Sequence, residues 1–135
     1  MTRLLLDSHV VLWWFGRSSM MSRRARDAIR AATTLLISPV SCWEIAHLAQ
    51  RRRVLLDAEP HAWVARLLAL DGVDEAPLTP AAAVSAALLD AGAFPGDPAD
   101  RMIYATAHAL AVPLVTRDRA IRDYAARARG VRIIW

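Results

Sequence analysis

The stretch DPADRMIYATAHALAVPLVTRD, residues 97–118, sets the pattern from which the fold can be worked out. Asp97 and Pro98 supply a helix cap and a first-turn proline, so a helix is predicted to follow them. Residues 113–116, three apolar residues followed by a threonine, then predict a short buried strand, and Asp118 lies two residues beyond its end. Ligands of parallel α/β sheets bind outside the carboxyl ends of the strands. The stretch therefore predicts a parallel sheet with a functional edge.

Strands and helices alternate along the rest of the chain in the same way. Strands are predicted at residues 3–6, 34–37, 73–78, 113–116 and 131–134. Helices are predicted at residues 9–15, 22–32, 41–51, 60–70, 80–89, 98–111 and 119–128, with a loop at 90–96. This alternation implies right-handed crossovers with helices on both faces of a parallel sheet. The predicted architecture is a three-layer α/β domain.

Length and charge limit the possible classes of protein. The 135 residues fit one domain, residues 1–135, with a sizeable core. The net charge is +4, and every basic side chain is arginine because the sequence contains no lysine. Arginine binds phosphate bidentately, so a polyanion partner fits this charge. The clusters at 23–30, 51–53 and 117–122 equally fit solvated helix faces, so composition leaves the partner open.

The sequence carries no sign of a membrane or secretory location. The apolar start of the chain is interrupted by Asp7 and His9, and no cleavage site of small residues follows. No uninterrupted apolar run reaches the roughly 18 residues that a membrane span needs. Cys42 is the only cysteine, which excludes an internal disulfide and a cysteine-rich zinc site. A cytoplasmic protein without a membrane partner is therefore expected.

Four acidic motifs lie where a strand ends or a helix begins. They are LLLD ending at Asp7, SCWE ending at Glu44, DPAD from Asp97 to Asp100, and LVTRD ending at Asp118. We expect folding to bring these carboxylates to one partly buried place, where their repulsion is costly unless a cation or proton intervenes. Mg²⁺ and Mn²⁺ prefer oxygen ligands and can activate a phosphodiester. The motifs therefore predict a divalent metal site and phosphate chemistry.

The same acids also have purely structural interpretations. Ser41 and Glu44 match a capping box, which predicts that a helix begins at Ser41. The four aspartates can serve as helix caps or as first-turn residues that favour the helix dipole. Each interpretation is reasonable for one motif. Together, however, they do not supply the counter-charge that acids gathered at one sheet edge require.

Other enzymes with acidic pockets fit the sequence poorly. A haloacid-dehalogenase phosphatase would carry DxDx[TV] after its first strand, whereas Asp7 is followed by Ser8 and His9. A receiver domain requires a lysine after a late strand, and a P-loop requires GxxxxGK[ST]; neither is present.

Together the motifs resemble the PIN domain, and specifically the VapC-type toxin ribonucleases of bacterial toxin–antitoxin pairs. The matching stretches are LLLDSHVVLWW, SPVSCWEIAHL, GDPADRMIYATAHALAVPLVTRDRAIRDY and the final VRIIW, in the family's order and spacing. They extend across nearly the whole chain. The resemblance implies a PIN-like domain with a central parallel sheet of about five strands and the activity of a metal-dependent endoribonuclease.

The resemblance also implies roles for individual residues. The positions that match the family's acidic quartet, implied to be catalytic and to hold Mg²⁺ or Mn²⁺, are Asp7, Glu44, Asp100 and Asp118. The positions that match supporting residues of the site are Asp97, Thr116 and Ser8. The implied reaction hydrolyses RNA, with transfer or ribosomal RNA as the expected substrate, and leaves a 5′-phosphate and a 3′-hydroxyl.

The implied partners are a VapB-type antitoxin and a second copy of the chain. Trp13 and Trp14 are expected either to line a groove that accepts an antitoxin segment or to pack with one ring buried and the other half-covered. The alanine-rich residues 81–91 fit either a homodimer contact or packing within the domain. The four histidines are expected to be surface or packing residues.

Two other functions remain open at this point. A non-catalytic PIN-like RNA-binding module is the main alternative, although all four quartet positions are still acidic. A metal-dependent DNA nuclease of the same superfamily is a third possibility, but the chain has no room for the long helical insertions of flap-type nucleases.

Overall fold

The computed structural model describes residues 2–89, 93–94 and 97–135, and it contains a five-stranded sheet in which every neighbouring pair is parallel. The strands are β1 (Arg3–Leu6), β2 (Thr34–Ile37), β3 (Val73–Glu75), β4 (Leu114–Val115) and β5 (Ile133–Ile134). Their order in the sheet is β3-β2-β1-β4-β5. The chain therefore winds outward from β1 in one direction first and then in the other, and the winding reverses between β1 and β4.

Helices cover both faces of this sheet. They are α1 (Ser8–Phe15), α2 (Arg23–Ala31), α3 (Pro39–Gln50), α4 (Pro60–Leu68), α5 (Pro80–Ala87), α6 (Pro98–Leu110) and α7 (Arg119–Ala128). Within the described ranges, no helix is both long enough and apolar enough to cross a membrane.

Two apolar clusters, one on each face of the sheet, form the core. Because side chains alternate along a strand, Leu4 and Leu6 of β1 join a cluster with α1, α2 and α4, whereas Leu5 joins a cluster with α6 and α7. Both faces of the central strands are buried, as expected for continuous apolar runs in a parallel sheet. The predicted three-layer α/β fold with a parallel sheet of five strands is confirmed.

Several local predictions were wrong. The helix predicted to begin at Ser41 begins two residues earlier, because Ser38 is its N-cap and accepts a hydrogen bond from the Val40 amide at 3.1 Å. The third strand ends at Glu75, three residues before its predicted end. Of the two alternatives for Trp13 and Trp14, the one that buries one ring completely is wrong, because both rings are only partly buried against the core. Most of the loop predicted at 90–96 lies outside the described residues.

Candidate active site

The two acids that follow strands lie at one edge of the sheet. Asp7 comes directly after β1 and caps α1, where its Oδ1 accepts a hydrogen bond from the Ser8 amide at 2.8 Å. Asp118 follows β4 and caps α7, where its Oδ1 accepts from the Ile121 amide at 3.0 Å. Because β1 and β4 are parallel neighbours at the point where the winding reverses, both acids lie at the edge where α/β proteins bind ligands.

A buried threonine links the two acids. Thr116 is fully buried, and its hydroxyl donates to Asp7 Oδ2 at 2.7 Å. The hydroxyl oxygen of Thr116 accepts a hydrogen bond from the Asp118 amide at 3.1 Å. One side chain therefore fixes the Asp7 carboxylate and the backbone of Asp118 relative to each other.

A second hydroxyl connects α1 with α3. Ser8 Oγ donates to Glu44 Oε1 at 2.6 Å and lies 3.0 Å from Ser41 Oγ, which can donate to it in turn. Glu44 is therefore oriented by a residue 36 positions earlier in the chain. The predicted capping box of Ser41 and Glu44 is wrong, because Ser41 lies buried inside α3 and Glu44 points to Ser8 instead of to the helix start.

The remaining acids enter from α6. Asp97 is exposed and caps the helix, where its Oδ1 accepts from the Asp100 amide at 3.0 Å. Asp100 is half-buried in the first turn. Arg101 turns away from the acids, and its guanidinium donates to the carbonyls of Ala86 and Leu89 at the end of α5, at 3.1 and 2.5 Å.

The raised pKa values of three carboxylates reflect how the acids are grouped around Asp100. The pKa of Asp100 is raised to about 7, mainly by burial and in addition by the negative charges of four neighbours: Asp7, Asp97, Glu44 and Asp118. Burial is also the main cause of the raised pKa of Asp7, with a smaller contribution from Asp118. The pKa of Glu44 is raised by burial and then by Asp7 and Asp97. The fold therefore gathers the acids that the four motifs contribute.

Hydroxyl donors partly offset this crowding. The hydrogen bond from Thr116 lowers the pKa of Asp7, and that from Ser8 lowers the pKa of Glu44. A hydrogen bond donated to a carboxylate stabilises its charged form. These hydrogen bonds thus orient the carboxylates of Asp7 and Glu44 and favour their ionised forms, although burial disfavours negative charge there.

The donor set fits a hard divalent cation. All five groups are carboxylates, which Mg²⁺ and Mn²⁺ prefer, and a cation would offset part of the repulsion between them. Among the described residues, no three acidic, histidine or cysteine side chains already stand close enough to hold one ion together. Ion binding would therefore require the half-buried and exposed carboxylates to turn inward.

Aromatic side chains lie beside the acids, and sequence reasoning missed one of them. On α1, the ring centroid of Trp13 lies 5.7 Å from the guanidinium carbon of Arg117 and 5.7 Å from the ring centroid of His9. On α3, Trp43 is 62% exposed and stacks on His47. The sequence signal was present, because Trp43 directly precedes Glu44 in the SCWE motif.

A separate apolar groove lies between α1, the segment 53–57 and α4. Its volume is about 1100 Å³, and its lining includes Trp13, Phe15, Trp63 and Leu55. Leu55 is 98% exposed, which is unusual for a leucine in a groove of aromatic rings. The groove thus presents an apolar surface distinct from the acidic edge.

Comparison with known proteins places this architecture in a family. The sequence matches the PIN domain family over residues 4–127. Ribonuclease VapC22 of Mycobacterium tuberculosis (strain ATCC 25618 / H37Rv) is 40% identical over 124 residues, which are 92% of this chain and 93% of that protein.

Solved structures share the same fold. DNA-bound VapBC from Salmonella typhimurium matches with a TM-score of 0.67 at 20% identity, over 98% of this chain and 97% of that chain. Mycobacterium tuberculosis VapC20, a Sarcin-Ricin loop cleaving toxin, matches with a TM-score of 0.63 at 16% identity, over 92% and 94% of the two chains. At these identities the likeness concerns the fold alone. The family match over most of the sequence, together with the 40% identical relative, establishes that this chain belongs to the PIN domain family.

Proposed function

We propose that residues 1–135 act as one PIN domain, a metal-dependent endoribonuclease toxin of a toxin–antitoxin pair that works in the cytoplasm. The observation that carries this proposal is the gathering of five carboxylates at the sheet edge where α/β enzymes bind their ligands, with raised pKa values for Asp7, Glu44 and Asp100. The 40% identical relative is named a ribonuclease, which supports the same reaction for this chain.

Asp7, Glu44, Asp100 and Asp118 are the residues proposed to hold Mg²⁺ or Mn²⁺ and to form the catalytic site. A bound divalent cation would supply Lewis acidity, which polarises a phosphodiester and lowers the pKa of an attacking water. The bound cation would also offset part of the negative charge at these positions, which otherwise repels an anionic RNA.

The supporting residues orient these ligands. Thr116 donates to Asp7 and fixes Asp118, and Ser8 donates to Glu44, so both hydroxyls favour ionised, correctly oriented carboxylates. Asp97 caps α6 and so fixes the helical turn that carries Asp100. Hydrolysis by such a site would leave a 5′-phosphate and a 3′-hydroxyl on transfer or ribosomal RNA.

The apolar groove is the proposed binding site of the antitoxin. An amphipathic segment of a VapB-type partner would cover Leu55 and the rings of Trp13, Phe15 and Trp63. The groove begins on α1, which also carries Ser8, so a bound segment would lie close to the acids. Leu55→Glu should weaken binding of the cognate antitoxin and leave RNA cleavage unchanged.

A homodimer is the proposed assembly of the toxin itself. Val84 of α5 and its C-cap Leu88 are exposed apolar residues four positions apart, so they lie on one side of the helix next to exposed Ala81. Such a stripe, with small neighbours, would permit close packing against a second copy.

The test of the proposed activity is cleavage of end-labelled transfer and ribosomal RNA by purified protein in Mg²⁺, Mn²⁺ or EDTA. Fragments are expected with either metal and should disappear with EDTA and in Asp7→Asn. Asp27→Asn, which removes an exposed carboxylate on α2, is the matched control and should cleave normally.

Each contrary result has a definite meaning. RNA binding without cleavage in any metal would contradict the enzyme function and support the alternative, a non-catalytic RNA-binding module. Cleavage of DNA in preference to RNA would instead assign the chain to the DNA nucleases of the superfamily. Cleavage that survives both EDTA and Asp7→Asn would contradict the metal-dependent mechanism.

A further inference from the structure

Trp43 is an exposed tryptophan with a fixed orientation. It is 62% exposed on α3, although tryptophan is a residue that folding usually buries to a large extent. Its ring stacks on that of His47, with centroids 4.9 Å apart and planes only 10° from parallel. The imidazole covers one face of the indole and leaves the other face available to solvent. An oriented, half-covered aromatic ring is suited to stack a further planar group.

The position of this pair places it on the rim of the acidic site. Trp43 directly precedes Glu44, whose carboxylate is hydrogen-bonded to Ser8 beside Asp7. One residue is about 100° of helix rotation, and His47, one turn further on, falls between Trp43 and Glu44 around the helix axis. The stacked pair therefore borders the stripe of α3 that faces the acids.

A basic residue extends the row that Trp43 and His47 form along α3. Arg51 follows His47 by four residues, its amide donates to the His47 carbonyl at 3.0 Å, and its side chain is exposed. Residues four apart lie above one another on a helix. Trp43, His47 and Arg51 thus form one row that leads away from the acidic site, with two rings followed by a guanidinium.

We propose that the Trp43–His47 pair is a stacking platform for an unpaired base of the RNA next to the scissile phosphate, with Arg51 contacting the phosphate backbone. This inference rests on the proposed ribonuclease function. Single-stranded RNA is recognised mainly by stacking of splayed bases on aromatic side chains and by cationic contacts to the backbone.

Electrostatics explains why such a platform would be needed here. Five carboxylates repel a polyanion, and a bound cation offsets only part of this charge. Stacking does not depend on net charge, so it can anchor the substrate where phosphate contacts are unfavourable. The platform would therefore position RNA and would select unpaired bases over duplex, without taking part in the chemical step.

Binding to single-stranded RNA, measured in EDTA, tests the platform separately from catalysis. The probe is a fluorescently labelled single-stranded oligoribonucleotide, and its anisotropy is followed with wild type, Trp43→Ala, Trp43→Phe and His47→Ala. Trp43→Ala should weaken binding about ten-fold, the effect of losing one base–aromatic stack, and Trp43→Phe should restore most of it. His61→Ala and Met20→Ala, which alter exposed residues on α4 and in the segment before α2, are controls and should bind normally.

Cleavage kinetics in Mg²⁺ provides the second measurement. Trp43→Ala should raise KM about ten-fold and change kcat little, because the platform contacts RNA in the ground state and in the transition state alike. One outcome separates the two inferences: the wild type binds RNA in EDTA but cleaves it in no metal, and Trp43→Ala binds RNA more weakly. This outcome would overturn the ribonuclease function and leave the platform standing.

The opposite pattern would overturn the platform alone. Wild-type cleavage with unchanged binding and KM in Trp43→Ala would leave the enzyme intact and remove Trp43 from RNA recognition. Conversion of a dimer to a monomer by Trp43→Ala, with RNA binding unchanged, would assign this face to protein association instead. Failure of the wild type to bind or cleave RNA would overturn both inferences.

Discussion

Thr116 connects two acids that are separated by most of the chain. Its hydroxyl donates to Asp7, 109 residues earlier, and accepts from the amide of Asp118. Because the hydroxyl is completely buried, the loss of either hydrogen bond would cost free energy of folding, since water does not reach this place freely. The geometry of the acidic site therefore depends on a neutral residue that is not itself proposed to bind the cation.

Thr116→Val tests this dependence, because valine keeps the volume and removes the hydroxyl. The free energy of unfolding should fall by about 1–3 kcal/mol, since Asp7 Oδ2 loses its donor in a buried place. RNA cleavage should fall about ten- to hundred-fold, as is usual when a residue that orients a metal ligand is removed.

The matched control is Thr106→Val. Thr106 is equally buried, but its hydroxyl donates only to the Met102 carbonyl of its own helix, at 2.7 Å. We expect stability and cleavage close to wild type for this variant. Equal loss of cleavage in both variants would mean that Thr116 acts only through general stability.

At the scale of single residues, the acidic motifs were predictable but their partners were not. Each acid could be identified because it follows an apolar strand or begins a helix. The interpretation of Glu44 as part of a capping box failed, since its actual partner is Ser8 on another helix. A short-range pattern contains no information about a contact made across the fold.

At the scale of elements, α6 ends in an unfavourable backbone conformation. Its C-cap, Ala111, has φ 52° and ψ 44°, the left-handed region in which a β-carbon is strained. Helices commonly adopt this conformation where they end, but usually with glycine. The position matters for the site because α6 carries Asp100 and leads directly into β4.

Ala111→Gly should therefore stabilise the protein. Glycine adopts positive φ without strain, and Ala111 is exposed, so no packing is lost. We expect a gain of about 1 kcal/mol in the free energy of unfolding, measured by urea denaturation, with unchanged RNA cleavage.

Ala69→Gly is the matched control for this substitution. Ala69 is the exposed C-cap of α4, but its φ of −85° is right-handed. Glycine there should lower stability by about 0.5–1 kcal/mol, because it adds only freedom to the unfolded chain. A gain in both variants would contradict the explanation from backbone strain.

At the scale of the whole molecule, a chain of net charge +4 concentrates negative charge at one sheet edge. The pKa of Asp100 is raised to about 7 from an ordinary value of 3.8. Between these two values the folded state retains a proton that the unfolded state has released. Stability in the absence of metal should therefore fall as the pH rises from about 4 to about 7, and the loss should be complete above 7.

Asp100→Asn should remove the contribution of Asp100 to this loss, because asparagine cannot ionise. In EDTA at pH 8, the variant should unfold with a free energy about 1–2 kcal/mol higher than wild type. This figure is smaller than the full pKa shift would give, because the side chain is partly solvated and its charge is screened. Near pH 4 the two proteins should be equally stable, as judged by urea denaturation across this pH range.

Metal binding provides the complementary measurement. Mg²⁺ should raise the melting temperature of wild type more at pH 8 than at pH 5, since the ion competes with protons for the same carboxylates. Asp27→Asn, on the exposed side of α2, should follow wild type in both experiments. A stability of wild type that does not change between pH 4 and pH 8 in EDTA would contradict the proposed crowding.

The sequence by itself determined the class of fold, the layers and the acids. Alternation of apolar strands with capped helices is a local property, and it permits only a parallel sheet covered on both faces. Boundaries such as the start of α3 and the end of β3 were less predictable, because competing caps and short strands differ little in free energy.

Only the tertiary structure decided which groups meet. The order β3-β2-β1-β4-β5 places Asp7 beside Asp118, and helix packing brings Ser8 to Glu44 and exposes Trp43 at the rim. The raised pKa of Asp100 likewise depends on burial and on four distant charges. Such contacts join residues far apart in the chain, and their energies depend on distance and desolvation, which a linear pattern does not contain.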